Sequence, residues 1–386
     1  MDLRQYTKQD VAGKKVLLRL DLDVEVNEQG QVDEFHDLRL ERSVTTIKEL
    51  LDFGAVKIIL CGHRGRPQAG YNQDLSLSPV KSRLEFLLNK LGVQEKINLI
   101  NDVSALPESA PGRLVMLENL RFWPGEKNND RNFALELGRW GEVYVNDAFG
   151  NSHRSDASML AIAKILPAYA GLSLINEIKE LTRWLDNLPR PYAAILGGAK
   201  IETKIPLIKQ LLTRADAILI GGALANTMLA ARGINVGQSL VEEEYFSIAK
   251  TFTDAKIFLP IDAVLSDGSV SDINSVDSED FIGDIGPRTA ALFKQKIAAA
   301  RAILWNGPMG KFEDARYQAG TRDIVAAITQ SQAKTVSGGG DTLDVLTKLN
   351  VIDKFSFVSV GGGAMLTFLA GESMPGLEAL VIHTSH

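Results

Sequence analysis

At 386 residues the chain exceeds what one hydrophobic core usually serves, so two domains are expected. Its hydrophobic share of 45% and charged share of 23% fit an ordered globular protein, while a net charge of -6 excludes a general nucleic-acid surface and confines any anion site to a local basic pocket. A single cysteine, Cys61, excludes an intramolecular disulfide, the first residues lack the apolar stretch of a signal peptide, and no apolar run approaches the roughly 18–20 residues of a membrane span; a cytoplasmic protein with no membrane partner is expected.

The first half alternates short apolar runs with helical patterns. Residues 16–20, 56–60, 97–100, 114–117 and 143–145 read as buried strands, and the spacing over 43–51 and 82–91 predicts helices between them. Such alternation predicts a parallel sheet covered on both faces, with ligands beyond the carboxyl ends of its strands. Asp21 and Asp23 follow the first run, His63 and Arg66 the second, Arg121 the fourth and Arg154 the fifth, while Arg39 precedes the helix at 43. Any one of these arginines reads as an ordinary surface charge. Gathered on one face of an acidic chain, Arg39, His63, Arg66, Arg121 and Arg154 point to a small, multiply charged anion, because guanidinium forks match phosphate and carboxylate. Asp21 and Asp23 cannot bind that anion by charge; they would orient arginines, accept a substrate hydroxyl or shape a turn. His153 reads equally as a packed imidazole.

Leu174, Ile178, Leu181 and Leu185 share one helix face closed by Pro189 and Pro191, which predicts a connecting helix between domains. The second half then repeats the pattern, with runs at 193–196, 217–220, 256–259, 302–305, 334–336 and 355–360. The first of them leads into ILGGAKIETKIPLI, read as a strand, a turn at Gly197 and Gly198, and a helix from Ala199 that carries Lys200 and Lys204 on one face. Like charges so placed cost about 0.2–0.5 kcal/mol unless an anion rests on the helix N-terminus. The stretch is a phosphate site or a solvated lysine pair after a tight turn. Further glycine turns at GGAL, SGGGDT and VGGGAM, with the loop WNGPMG, form a bare-backbone ledge for a polyphosphate or are simply tight turns. Asp341, before a helix over 342–349, is a helix cap or the single carboxylate that Mg²⁺ takes beside phosphates. Glu313 is a loop acid or a ribose partner. Neither GxxxxGK[ST] nor GxGxxG occurs.

RLDLDV at Arg19, GHRGRP at Gly62, LENLRF at Leu117, VNDAFGNSHRSDASM at Val145, LGGAKIETKIPLI at Leu196, LPID at Leu259, GDIGPRT at Gly283, ILWNGPMGKFE at Ile303, SGGGDT at Ser337 and VGGGAM at Val360 together resemble the phosphoglycerate kinase family over nearly the whole chain. The resemblance implies an α/β fold of two Rossmann-like, doubly wound parallel-sheet domains separated by a cleft: residues 1–171, a connecting helix at 172–188, residues 189–365, and a segment 366–386 returning to the first domain. It implies that Asp21, Asp23, Arg39, His63, Arg66, Arg121 and Arg154 hold 3-phosphoglycerate. Gly197, Lys200, Lys204, Gly222, Asn306, Glu313, Gly339, Gly340, Asp341 and Thr342 would serve ATP or ADP, with Mg²⁺ on Asp341. Arg39, Lys200, Gly361 and Gly362 would balance charge on the moving phosphoryl group, and a monomer is implied. The chain departs from the family pattern at Asp23, Glu25, Arg64, Ala223 and Val360, and Arg64 is a candidate partner for the extra carboxylate of Asp23. Another acyl-phosphate kinase, or a nucleotide-binding homologue without catalysis, are the rival readings.

Overall fold

Four strands of the first half are apolar almost throughout because both faces of their sheet are covered. They are β1 (Lys15–Arg19), β2 (Lys57–Cys61), β4 (Leu114–Leu117) and β5 (Val143–Asn146), joined at the edges by β3 (Ile97–Ile100) and β6 (Ala168–Ala170). The computed structural model describes every residue except 33–37, 69, 187 and 383–386. In it these strands form a parallel sheet of order β3-β4-β2-β1-β5-β6. Val16, Leu18, Leu20, Ile58 and Leu60 pack on Leu40, Ile47 and Leu50 of the helix Leu38–Asp52 and on Leu84 and Leu88 of Ser78–Lys90. Each such side chain contributes roughly 1.5–3 kcal/mol on burial.

The strand order reverses between β1 and β5, so the loops leaving these neighbours diverge and open a crevice at the carboxyl edge. Asp21 and Asp23 leave one side of it and Arg154 the other.

The second half builds a parallel sheet of order β15-β14-β13-β7-β8-β9 from β7 (Tyr192–Leu196), β8 (Ala217–Ile220), β9 (Ile257–Phe258), β13 (Ala302–Asn306), β14 (Lys334–Gly338) and β15 (Phe357–Ser359). Its reversal falls between β7 and β13, which are paired from Tyr192 opposite Ala302 to Leu196 opposite Asn306. A small antiparallel sheet of β10 (Asp262–Leu265), β11 (Val270–Asp272) and β12 (Ile282–Ile285) adjoins it in sequence. By the density of internal contacts the chain divides into Met1–Glu180 with Ser373–His386, and Leu181–Glu372. Residues after Ser373 join the first unit through Arg4 N–H donating to the Leu380 carbonyl at 2.9 Å and Gly376 N–H to that of Ser152 at 2.9 Å. The helix Gly363–Leu369 packs on Ile205–Arg214 within the second unit.

The expected α/β, parallel-sheet class is what the chain adopts. Differences are local. The helix expected at 43–51 runs over Leu38–Asp52, so Arg39 belongs to its first turn; Leu40 lies in period with Val44, Ile47 and Leu51, a signal interrupted by the polar run Glu41, Arg42 and Ser43. The antiparallel sheet and β6 were not expected, since Val270–Asp272 and Ala168–Ala170 are too short to show a pattern.

Candidate active site

Arg19 ends β1 pointing into the protein and is fully buried. Its Nε donates to Ser158 Oγ at 2.9 Å, its Nη1 to the Leu20 carbonyl, and its Nη2 meets His63 Nδ1 at 2.9 Å. His63, just past β2, is likewise buried. Burial pushes its pKa well below the ordinary imidazole value, and the nearby charges of Arg19, Arg121, Arg154 and Arg39 push the same way. Arg39 donates through Nη1 to the Asp23 carbonyl at 2.5 Å and lies 3.8 Å from Asp21 Oδ1. Arg121, in the turn Leu120–Phe122, donates through Nη1 to the Gly65 carbonyl at 2.6 Å and stands 3.9 Å from Asp156.

Around His63, buried nitrogens of three residues make no hydrogen bond among the described residues: His63 Nε2, Arg121 Nε and Nη2, and Arg154 Nε. Buried donors are ordinarily paired, and donors of this kind call for an acceptor anion. The structure thus brings together Asp21, Asp23, Arg39, His63, Arg121 and Arg154 of the sequence set. Arg66 is exposed and bonded to none of them. Arg64 does not pair with the Asp23 carboxylate. Its buried guanidinium donates to the carbonyls of Val24 at 3.0 Å, Asp74 at 2.7 Å and Ser76 at 3.3 Å, where it clamps the loop after β1 to the segment 74–76. Asp23 instead accepts from Gly65 N–H at 2.8 Å, and its other oxygen lies 3.8 Å from His63 Nε2.

In the second unit the lysines do not share a helix. After β7 come the turn at Gly197 and Gly198, a single turn Glu202–Lys204 and only then the helix Ile205–Arg214. Pro206 explains the late start: lacking an N–H and fixed in φ, it suits the first helical turn and no later one. Lys200 is therefore an exposed loop residue, whereas Lys204 is buried at the helix start. Burial lowers the Lys204 pKa, with Asp341 and Glu242 opposing and Lys200 adding to the shift. A Cβ placed on Gly198 would stand 3.7 Å from Lys204 Nζ and 3.8 Å from Asp341 Oδ2, so ammonium and carboxylate gather over that turn.

The glycine ledge divides in two. A Cβ on Gly197 would lie 2.0 Å from the Pro308 carbonyl, and one on Gly222, at φ +61°, 2.7 Å from Gly198 N; these glycines let backbone pack on backbone. Gly340, Gly362 and Gly363 face open space. Gly361 N–H is engaged, donating to Ser359 Oγ at 3.1 Å. Asn306 Nδ2 donates to the Gly338 carbonyl at 2.6 Å, and Thr342 Oγ accepts Gly307 N–H at 2.7 Å, so both buried residues hold the loops that carry the site. Asp341 is not the helix cap. Gly339, at φ +113°, caps Gly340–Lys348, which leaves the Asp341 carboxylate exposed in the first turn.

A cavity of about 440 Å³ lies at this switch point, bordered by Gly198, Gly222, Glu313 and Asp341 on its polar side and by Leu240 and Phe281 on its apolar side. That is the size and mixed character of a small-molecule site. Leu240 and Phe281 escaped the sequence reading because lone apolar residues in separate loops carry no period. Arg19, Ser158 and Glu126 also escaped it; a charged residue closing a central apolar strand was the available signal. Among the described residues no three His, Cys, Asp or Glu gather as a metal cage. Asp341 alone, an exposed oxygen donor beside Lys204, fits a hard cation that keeps water and phosphate as its other ligands.

A family model described as phosphoglycerate kinase matches residues 6–372. The chain belongs to the phosphoglycerate kinase family. It is 40% identical over 386 residues to the phosphoglycerate kinase of Desulfosudis oleivorans, covering 96% of this chain and 97% of that one, and 41% identical over 392 residues to that of Chloroflexus aggregans, with the same coverage. Solved structures of phosphoglycerate kinases from Coxiella burnetii (TM-score 0.80, 35% identity) and Pyrococcus horikoshii (TM-score 0.82, 30% identity) each match over 96% of both chains. The chain is thus a phosphotransferase, and the two six-stranded parallel sheets are those of its family.

Proposed function

We propose that this kinase reversibly transfers the acyl phosphate of 1,3-bisphosphoglycerate to ADP, giving 3-phosphoglycerate and ATP. The observation that carries the reading is the set of buried N–H groups on His63, Arg121 and Arg154 that make no hydrogen bond among the described residues, which suits a small polyanion in the first unit. The cavity beside Gly198 and Asp341 suits the nucleotide in the second.

The chemistry asks little of an acid or base. The attacking group is an ADP phosphate oxygen in one direction and a carboxylate in the other, both ionised at neutral pH. What is needed is position and charge balance about the moving phosphoryl group. Arg121, Arg154 and the His63 Nε2–H would hold the triose anion, with Arg66 joining from the exposed rim. Arg39, Lys200 and the Gly362 N–H would face the phosphoryl group. Lys204 would lie against the nucleotide phosphates, and Glu313 would take ribose hydroxyls. Mg²⁺, held by Asp341 and phosphate oxygens, would supply further charge neutralisation when bound.

Because the two residue sets belong to different units, transfer requires hinge bending that closes on both ligands together; small-angle scattering that shows equal dimensions for the free, binary and ternary states would refute this. No helix among the described residues is long and apolar enough to cross a membrane, and this reading takes the protein as a cytoplasmic monomer. A coupled assay of ATP formation from 1,3-bisphosphoglycerate, with other acyl phosphates as controls, tests the function. Turnover of another acyl phosphate in preference, or of none, would overturn it.

A further inference from the structure

We propose that Arg19 is a positioning residue that locks His63 as the neutral Nε2–H tautomer, so that the anion site presents one fixed donor in place of a titrating imidazolium. The inference rests on the triose reading only for what the donor meets.

A guanidinium has donors and no acceptor, so the 2.9 Å contact from Arg19 Nη2 makes His63 Nδ1 the acceptor, and the ring proton must sit on Nε2. Arg19 is itself held in one orientation. Its Nε donates to Ser158 Oγ at 2.9 Å, and Ser158 passes its only hydroxyl proton to Glu126 Oε1 at 2.5 Å. Glu126 Oε2 accepts Ser158 N–H at 2.9 Å, which fixes the serine. Arg19, His63, Ser158 and Glu126 are all buried, so no water competes for these bonds. The chain Glu126, Ser158, Arg19, His63 ends on an Nε2–H that has no hydrogen-bond partner among the described residues and lies 3.8 Å from Asp23 Oδ2.

The charges facing the ring favour the same state. Arg39, Arg121 and Arg154 stand near it on the open side and Arg19 behind, against which Asp23 is the adjacent anion and Asp156 lies next to Arg121. Protonating Nδ1 would break the Arg19 bond and add a cation to this group. A neutral donor therefore keeps one geometry across the pH range in which a free histidine changes charge.

The test is ¹⁵N-histidine NMR of the full chain, with His63→Gln used to assign the His63 signals. The expected result for the unaltered protein is a protonated Nε2 and an unprotonated Nδ1, both unchanged from about pH 5.5 to 8. In Arg19→Met the ring should begin to titrate or to mix tautomers, and Ser158→Ala should do the same to a smaller degree. Each should raise KM for 3-phosphoglycerate about tenfold with kcat little changed, as loss of a bond made equally in ground and transition state does. A protonated Nδ1 in the unaltered protein, or titration near the ordinary imidazole pKa, would overturn the proposal. So would an unchanged tautomer in Ser158→Ala together with Arg19→Met, or with Arg19→Leu should the methionine variant not fold. Adding 3-phosphoglycerate separates the two readings: if the tautomer is as expected but the Nε2 signal does not move, the triose reading fails and the locked tautomer stands.

Discussion

Arg39 grips the backbone of Asp23: its Nη1 donates to the Asp23 carbonyl at 2.5 Å, from the first turn of a helix that begins at Leu38. The guanidinium is thereby held at the mouth of the β1–β5 crevice while remaining partly open to solvent. If it serves the transferring phosphoryl group, Arg39→Ala should lower turnover by about 10³-fold, the scale of arginines that neutralise such charge. Circular dichroism should be unchanged, since the side chain is partly exposed and bonds to a loop carbonyl. A loss below tenfold would make Arg39 a loop clamp only.

Asp23 bears a carboxylate beside an anion site, and its Oδ1 is the acceptor for Gly65 N–H at 2.8 Å. An asparagine preserves that bond and removes the charge. Asp23→Asn should therefore tighten 3-phosphoglycerate binding severalfold. Because Arg64 is spent on the carbonyls of Val24, Asp74 and Ser76, a double-mutant cycle with Arg64→Met should show little coupling. Strong coupling would mean that Arg64 answers the Asp23 charge after all.

Asp341, exposed in the first turn of Gly340–Lys348, is the hard-oxygen donor proposed for Mg²⁺. Asp341→Asn should raise the Mg²⁺ concentration for half-maximal rate, because a neutral amide is a poorer ligand for a hard cation. An unchanged Mg²⁺ titration would remove Asp341 from the metal shell.

The sheets were legible in the sequence because their central strands are continuous apolar runs; so were the loops that carry Asp21, His63, Arg121 and Arg154, which follow those runs directly. The two lysines were misplaced for a physical reason. Composition after Gly198 favours a helix, but Pro206 sets where the helix begins, and Ile201 N–H is drawn to Glu242 Oε2 at 2.5 Å, a partner distant in sequence. The hydrogen-bonded chain behind His63 joins residues far apart in sequence, so no local pattern reports it. The glycine turns were legible as a phosphate ledge or as tight turns, and at Gly197 and Gly222 the close neighbour is backbone of the protein itself.

Asp147, buried after β5, has its pKa raised to about 7 by burial, against the hydrogen bonds it accepts; Leu174 N–H donates to its Oδ1 at 3.0 Å. The unfolded carboxyl ionises near 3.8 and the folded one near 7, so between these values the folded state binds more protons and stability falls as pH rises. Asp147→Asn keeps an acceptor for Leu174 and cannot ionise. Relative to the unaltered protein, its melting temperature should improve progressively as pH is raised from about 4 to about 8. A difference independent of pH would show that Asp147 does not titrate in this range.

The central claim is that the first unit holds the triose anion and the second the nucleotide, and the most direct measurement of it is titration calorimetry on Arg121→Met with each ligand in turn. Arg121 offers to the first site buried Nε and Nη2 groups that make no hydrogen bond among the described residues, and it belongs to no part of the second. Charge-assisted bonds of this kind are worth about 1.5–3 kcal/mol. The account predicts that 3-phosphoglycerate binding weakens at least about tenfold while Mg-ADP binding stays as in the unaltered protein. Undiminished 3-phosphoglycerate affinity, or an equal loss for both ligands, would contradict it.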